Sequence, residues 1–285
     1  VNRMWQMVFG HGLVATPDDF GNQGSLPTHP ELLDALAVDF QESGRDMKGL
    51  FKKLVLSSTY RQSASISLHL CERDPTNELL ARAPRYRLPA EMIRDNALMI
   101  SGLLVEKIGG EPVKPYQPAG IWAQVSTAQT LYDQDHGNRL YRRSLYTYWK
   151  RAVPPPNMVT FDAPTRHACT VKRAATSTPL QALILLNDVQ FVEASRVFAE
   201  HLLQNQEISL EERITNGFRM ATARRPSEEE LASLSSLYEE SKREFQQHNN
   251  DVQALLQTGE YPVDENLDPL EVAAYTMVTS AILNM

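Results

Sequence analysis

The sequence feature that most constrains the fold is a helix-start pattern that occurs five times. In each case a Ser, Thr or Asp lies three positions before a Glu or Gln, often with Pro between them. The first side chain can accept a hydrogen bond from an otherwise unpaired backbone N–H, and the Glu or Gln can reach back to the cap. The five pairs are Thr28 and Glu31, Thr178 and Gln181, Ser209 and Glu212, Ser227 and Glu230, and Asp268 and Glu271. Five such starts predict a mainly helical protein.

The spacing of apolar residues supports the same fold class. Leucines at positions 32, 33 and 36 form one helical stripe that Ser43 and Gly44 end, and a second stripe over 50–55 follows, which together predict a helical hairpin. Another helix is expected from Pro89 to about residue 104. The remaining predicted helices cover residues 179–204, 210–222, 228–248 and 268–284.

The middle of the chain, residues 105–178, differs from both flanks because it holds seven of the 17 prolines. Within it LYRRSLYTYWK, residues 140–150, alternates in polarity and predicts one strand or a pair of short extended pieces. The predicted fold is therefore mainly α, a helical bundle-like domain with a proline-rich irregular middle containing one or two short strands. We expect one domain over residues 1–285, with an N-terminal helical part (1–104), this middle (105–178) and a C-terminal helical part (179–285).

Composition excludes several classes of protein. A net charge of -7 disfavours nucleic-acid binding, which needs clustered Lys and Arg. No stretch approaches the roughly 20 apolar residues of a membrane span. Cys71 and Cys169 match no disulfide or zinc spacing, so no cofactor is indicated in this chain. Because the chain starts at Val1 and ends within an apolar helical pattern, we expect it to be a fragment of a longer protein.

A group of candidate metal ligands lies near the N-terminus. They are His11, Asp18, Asp19 and His29, whose imidazole and carboxylate groups suit several divalent ions. Their spacing fits no zinc or calcium pattern, however, and Gly, Pro and Asp at these positions are typical of turns. A turn between helices is the favoured interpretation over a metal site.

Two segments supply candidate catalytic residues. In RYRLPAEMIRDN, Glu91 shares a helix face with Arg94 and Asp95, an arrangement that suits acid–base chemistry but is more often a structural salt-bridge network. The irregular segment after Phe161 holds Asp162 and His167 before a helix start, and loops of this kind often carry functional groups.

A basic and aromatic segment supplies the candidate binding residues. No acidic residue occurs between His136 and Phe161. Guanidinium groups bind carboxylates and sulfates in a bidentate manner, and aromatic faces stack on sugar rings. With Arg94 from the preceding helix and Arg173 from the following loop, the candidates are Arg94, Arg142, Arg143, Trp149 and Arg173. The alternative is that the aromatic residues enter the core and the arginines bind groups of the same domain.

Six segments in this order resemble the planctomycete PSD1 family, DUF1553. They are VNRMWQMVFGHGLVATPDDFGNQGSLPTHPELLDALA, LVLSSTYRQSA, RYRLPAEMIRDNALMISG, RRSLYTYWKR, FDAP and TSTPLQALILLND. The resemblance implies an exported bacterial protein, periplasmic or in the cell envelope, with further domains that often include a cytochrome-c-like haem module. Since this chain has no CxxCH motif, any haem is expected in another domain of the parent protein. The family has no established activity, although a link to polysaccharide breakdown has been suggested.

Two functions of different class follow as hypotheses. The preferred one is a binding or assembly module that docks a neighbouring domain of the parent protein, or an anionic polysaccharide, through residues 139–173. The alternative is a hydrolase or redox enzyme of polysaccharide degradation. Its acid–base or metal chemistry would come from Glu91, Asp95, Asp162 and His167. A docking module should pair its charged residues internally and leave a basic or apolar face, whereas an enzyme should gather unpaired carboxylates in a cleft.

Overall fold

A computed structural model describes residues 1–125, 131–205 and 207–285. This part of the chain forms 14 α-helices and no sheet, which confirms the mainly helical prediction. The helices are α1 (Asn2–Phe9), α2 (Pro30–Glu42), α3 (Met47–Leu56), α4 (Ser58–Arg61), α5 (Leu68–Arg73), α6 (Ala90–Ile100), α7 (Ile121–Val125), α8 (Pro156–Thr160), α9 (Pro179–Asn187), α10 (Val189–Leu203), α11 (Leu210–Thr222), α12 (Glu228–Gln247), α13 (Asn249–Leu256) and α14 (Pro269–Leu283). None of the helices in the described ranges has the length and apolar character needed to cross a membrane.

Four of the five predicted helix starts are confirmed. Ser209 and Asp268 cap α11 and α14 through their side-chain oxygens, while Thr178 and Ser227 form capping boxes with Gln181 and Glu230. Thr28 is different, because α2 begins at Pro30 with His29 in the cap position. The hydroxyl of Thr28 instead donates to the carbonyl of Leu13, 3.3 Å away.

Two predicted helix bounds were wrong for local reasons. The helix expected over 179–204 is divided into α9 and α10 at Asp188, which is extended (φ -68°, ψ 130°) and whose carboxylate accepts from the Gln190 N–H at 3.0 Å. The helix expected to reach about residue 104 ends at Ile100, since Gly102 takes a left-handed conformation with φ 77°.

The chain forms two compact units. Unit 1 consists of residues 1–87 and 169–173, and unit 2 of residues 88–168 and 174–285. In unit 1, α1, α2 and α3 share a core in which Trp5 stacks on Phe9 with ring centroids 4.1 Å apart. The two helices of the predicted hairpin correspond to α2 and α3, whose leucines pack in this core. The expectation of a single domain over the whole chain stays a prediction.

Unit 2 is built around α14, which packs most extensively on α10 and α12. Nine of its residues are buried, so its apolar side chains cover the whole circumference rather than one stripe. Tyr275 and Ile282 of α14 pack with Ile214 and Phe218 of α11 and with Leu234 of α12. A second core joins α6 and α10 to residues 140–141, which brings the irregular middle of the chain against the helices.

The short strands predicted for the middle of the chain are not confirmed in the described residues. Residues 140–151, called the central segment below, make only isolated bridges, pairing Val105 with Arg142, Val113 with Thr147 and Lys150 with Val153. A 3₁₀ turn over Ser144–Tyr146 interrupts the segment, and its burial does not follow a period of two, because Leu140, Tyr141 and Arg142 are all buried. The alternation of polar and apolar residues in the sequence therefore does not correspond to a strand in this segment.

Candidate functional site

Arg94, one of the candidate binding residues, lies on α6 and is buried. Only 2% of it is exposed, and its guanidinium donates to Gln190 Oε1 and to the carbonyls of Leu140 (2.5 Å) and Arg142 (2.6 Å). Burial lowers the pKa of Arg94 to about 10, because the interior disfavours the charged form, while the Asp95 carboxylate opposes this shift. The guanidinium thus links α6, α10 and the central segment, and it does not face solvent as a binding residue would.

Asp95, the next residue of α6, belongs to the same network. Its Oδ1 accepts from the backbone N–H of Ser144 at 2.7 Å and lies 3.9 Å from Arg94 Nη1, while its Oδ2 lies 3.7 Å from Nε of Arg143. Glu91, one turn earlier, is partly buried in the first turn of the helix. Asp95 therefore has the structural role that the sequence offered as the alternative to catalysis.

Arg142 closes a loop of the irregular middle. The residue is 5% exposed, and its guanidinium donates to the carbonyls of Lys107 (2.9 Å), Gly109 (2.6 Å) and Glu111 (3.1 Å). It also lies over the ring of Tyr146, 3.9 Å from the ring centre. Three carbonyls and an aromatic face hold this cation internally, while its Nε has no hydrogen-bond partner among the described residues. Arg142, like Arg94, is therefore turned towards its own domain.

Other basic residues of unit 2 remain at the surface. The side chain of Arg143 is 55% exposed, and Arg151 and Arg166 are exposed as well. The Arg166 guanidinium lies 4.3 Å from the ring centre of Trp149, which is itself partly buried. Arg173 is also exposed and belongs to unit 1. Of the candidate binding residues, Arg143, Trp149 and Arg173 therefore have surface accessible to a partner.

Asp162 lies at the beginning of the exposed loop that precedes α9. Its neighbours Phe161 and Ala163 pack in one apolar cluster with Ala90 of α6, so the loop starts beside the helix that carries Glu91 to Asp95. Asp162 Oδ2 accepts from the backbone N–H and the hydroxyl of Thr176, both at 2.8 Å. His167 lies farther along the same loop and is exposed. The start of the loop, at Phe161 and Ala163, is thus in contact with α6.

The candidate metal ligands near the N-terminus take the roles of turn residues. Asp19 Oδ1 accepts from the Gly21 N–H at 2.8 Å, and Nδ1 of His29 lies 3.0 Å from the hydroxyl of Thr28. His11 and Asp18 are exposed. Within the described residues, no group of three or more His, Cys, Asp or Glu side chains is arranged to hold a metal ion.

The structure adds a buried acidic residue that was not among the candidates, Glu193 of α10. It is 0% exposed, and its Oε1 accepts from the hydroxyls of Tyr116 (3.1 Å) and Tyr141 (3.0 Å) and from the backbone N–H groups of Glu260 (2.6 Å) and Tyr261 (2.8 Å). Its Oε2 has no hydrogen-bond partner among the described residues. Burial, followed by the charge of Glu193, raises the pKa of both tyrosines above the usual range, so both remain donors at neutral pH.

The loop around Gly259 approaches Glu193 closely. Gly259 has φ 89°, and a Cβ added to it would lie 2.2 Å from Glu193 Oε1. Only glycine accommodates both the backbone conformation and the contact. The carboxylate of Glu193 therefore joins α10 to the 259–261 loop and to two tyrosines of the irregular middle.

Arg196 continues this polar row along α10. It is 0% exposed and donates to Glu200 Oε1 at 2.5 Å and to the carbonyl of Tyr261 at 2.6 Å. A signal for the row was present in the sequence, since Gln190, Glu193, Arg196 and Glu200 recur every three or four positions in a helix that is mostly apolar elsewhere. Charged side chains are rarely buried unless they are paired. This rule predicts an exposed position for the charged residues of the row, so the sequence alone does not reveal their burial.

Comparison with known proteins identifies the chain by its family alone. A family model described as PSD1, a protein of unknown function (DUF1553), matches residues 1–238. No curated protein and no solved structure matches the chain.

Proposed function

We propose that this chain, which belongs to the PSD1 (DUF1553) family, is a docking module that binds an acidic protein domain through the basic outer side of its central segment. We place that partner among the other domains of the exported, cytochrome-c-associated protein that the resemblance implies. The observation that carries the proposal is the separation of charge along the segment. Arg142 is turned inward, whereas Arg143 and Arg151 are turned outward.

The first support is the local charge. Residues 136–187 contain eight Lys and Arg residues and one acidic residue, Asp162, within a chain whose net charge is -7. Within unit 2, Arg142 is held by internal acceptors and Arg139 is paired with Asp135, so the exposed arginines that remain in this range are Arg143, Arg151 and Arg166. A local positive surface on an acidic protein attracts acidic partners and speeds their association.

The second support is the apolar and aromatic character of the same surface, which favours a protein partner over a polysaccharide. Leu145 is 70% exposed and Tyr148 is 40% exposed, and both lie between Arg143 and Arg151 in the central segment. Arginine and aromatic side chains are enriched at protein–protein interfaces, where apolar groups such as Leu145 are buried by the partner.

The third support concerns the carboxylates that an enzyme of polysaccharide degradation would use. Asp95 accepts from the Ser144 backbone and lies near two arginines, and Asp162 accepts two hydrogen bonds from Thr176. A general acid or base must exchange a proton with a substrate, so carboxylates engaged in this way fit a structural role better. This distribution favours binding over the hydrolase or redox alternative.

The test measures binding to polyglutamate, a model acidic polypeptide, by biolayer interferometry at low and physiological salt. We expect salt-dependent binding that is weakened about tenfold or more by the double substitution Arg151→Glu and Arg166→Glu, because four units of charge are lost at the surface. The matched control is Lys48→Glu with Lys52→Glu, two exposed cations of unit 1 that undergo the same charge change. The control should bind as the unmodified protein does.

Three outcomes would contradict the proposal. The first is an equal loss of binding in the control, which would assign the effect to net charge. The second is no binding to polyglutamate at low salt. The third is binding to a heparin oligosaccharide that depends on Arg151 and is stronger than binding to polyglutamate of equal charge. This result would make an anionic polysaccharide the partner.

A further inference from the structure

A cavity of about 360 Å³ lies beside the C-terminal half of α10 in unit 2. Eight residues line it, four from α10 and its end and four from the loop that precedes α14. They are Val197, Glu200, His201, Gln204, Tyr261, Pro262, Val263 and Asp264. The volume is at the lower end of the range for small-molecule sites, about 300–1,000 Å³. None of these residues belongs to the basic surface proposed above for docking.

Glu200 provides a fixed carboxylate in the cavity wall. Only 5% of its side chain is exposed, and its Oε1 is bound by Arg196, which is fully buried and also anchored to the carbonyl of Tyr261. Oε2 makes no hydrogen bond or ion pair with any described residue, and it is not sealed from solvent. Glu200 is one of the residues that line the cavity.

The charge of the cavity is negative. Arg196 neutralises Glu200, but Asp264 receives only neutral donors, the backbone N–H and the amide of Asn266 at 3.0 and 2.9 Å. A carboxylate without a cationic partner attracts cations and repels anionic ligands. The apolar wall consists of Val197 with Pro262 and Val263, and the ring of Tyr261 adds an aromatic face that also favours cations.

His201 forms part of the lining, and its position depends on Gly102. A Cβ added to Gly102 would lie 2.8 Å from Cε1 of the His201 ring, and Gly102 has φ 77°. The imidazole therefore rests directly on a glycine backbone, which fixes one side of the cavity in the absence of a larger side chain.

We propose that this cavity binds a small organic cation, a primary ammonium group carried on a short alkyl stem. The ammonium group lies between the carboxylates of Glu200 and Asp264, and the stem contacts the valines and proline. Such a ligand combines the two features that the walls offer, one net negative charge and an apolar surface.

The test is a titration of the full chain with n-butylammonium, followed by amide chemical shifts in ¹H–¹⁵N NMR spectra. We expect saturable shifts at residues 197–204 and 261–264. 1-Butanol, which has the same stem without the charge, should bind about tenfold more weakly or worse. Asp264→Asn should weaken n-butylammonium binding by a similar factor. The matched control, Asp251→Asn, removes the same charge from an exposed position of α13 that does not line the cavity and should leave binding unchanged.

Several results would overturn this proposal without bearing on the docking surface. They are the absence of saturable shifts at the cavity, equal affinities for n-butylammonium and 1-butanol, and equal effects of Asp264→Asn and Asp251→Asn. A neutral sugar that saturates the same residues while n-butylammonium does not would also refute it. The amide shifts of residues outside the cavity should be the same in Asp264→Asn and in the unmodified protein. This result shows that the variant is folded and that the two affinities can be compared.

Discussion

Substituting Gly259 by alanine tests whether the buried carboxylate of Glu193 holds unit 2 together. Gly259 has φ 89°, a conformation that L-residues rarely adopt, and an added Cβ would lie 2.2 Å from Glu193 Oε1. That oxygen accepts four hydrogen bonds, from Tyr116, Tyr141 and the 260–261 backbone, so moving it lengthens these contacts and breaks at least one. The substitution therefore combines a backbone effect with a displaced buried charge.

The two contributions can be separated in magnitude. A left-handed conformation costs a non-glycine residue about 1–2 kcal/mol. A hydrogen bond to a charged group contributes about 1.5–3 kcal/mol, so the loss of one of the four bonds raises the total destabilisation to about 2.5–5 kcal/mol. Gly109→Ala is the matched control in the same unit, since Gly109 has φ 77° and an added Cβ would meet no atom within 4 Å. The Gly109→Ala substitution should lower the free energy of unfolding only by the backbone contribution.

The assay is urea unfolding with hydrogen exchange of peptides from α10, which reports on the free energy of unfolding of unit 2. If Gly259→Ala costs no more than Gly109→Ala, the contact with Glu193 carries no stability and the reasoning is refuted. A double-mutant cycle provides a second check. In a Glu193→Ala background, the cost of Gly259→Ala should fall to that of Gly109→Ala.

Two further predictions concern other charged contacts. Arg94→Lys should destabilise unit 2 by about 2–4 kcal/mol in the same urea assay, because one ammonium group leaves some of the buried acceptors of Arg94 unpaired; a loss below about 0.5 kcal/mol would contradict its tethering role. For Glu230, the Arg224 guanidinium and then the Ser227 N–H lower the pKa to about 2 from 4.5. The folded state therefore binds this proton less readily than the unfolded state, and the stabilisation present above pH 4.5 is lost as the pH falls towards 2. The difference in melting temperature between the unmodified protein and Glu230→Gln should shrink over this pH range, and a constant difference would refute the assignment.

The helix pattern could be predicted because its causes are local. Ser209, Ser227 and Asp268 cap helices through contacts with residues two or three positions away, and these contacts are visible in the sequence. The division between α9 and α10 at Asp188 was missed because the apolar pattern continues through it. The strand prediction for the central segment was not confirmed, because alternation of polarity was taken as alternation of burial, which Arg142 does not follow.

The candidate site shows the limit of residue-type reasoning. Arg94 and Arg142 were both candidate binding residues, and the fold brings them together, because Arg94 donates to the carbonyl of Arg142. Which arginines face outward was not predictable, because Arg142 and Arg143 are adjacent and chemically identical. Their difference arises from the carbonyls of residues 107–111, which surround one guanidinium and not the other.

The sequence by itself determined the helical class, four of the helix starts and the family, because these depend on short-range hydrogen bonding and on the order of motifs. Only the tertiary structure decided that Glu193, Arg196 and Arg94 are interior and that Arg143 and Arg151 are exterior. The physical reason is that a charge is buried only where several distant backbone and side-chain groups meet it at hydrogen-bonding distance. Those partners lie 46 to 68 residues away for the Arg94–carbonyl and Glu193–loop bonds, beyond the reach of any local pattern.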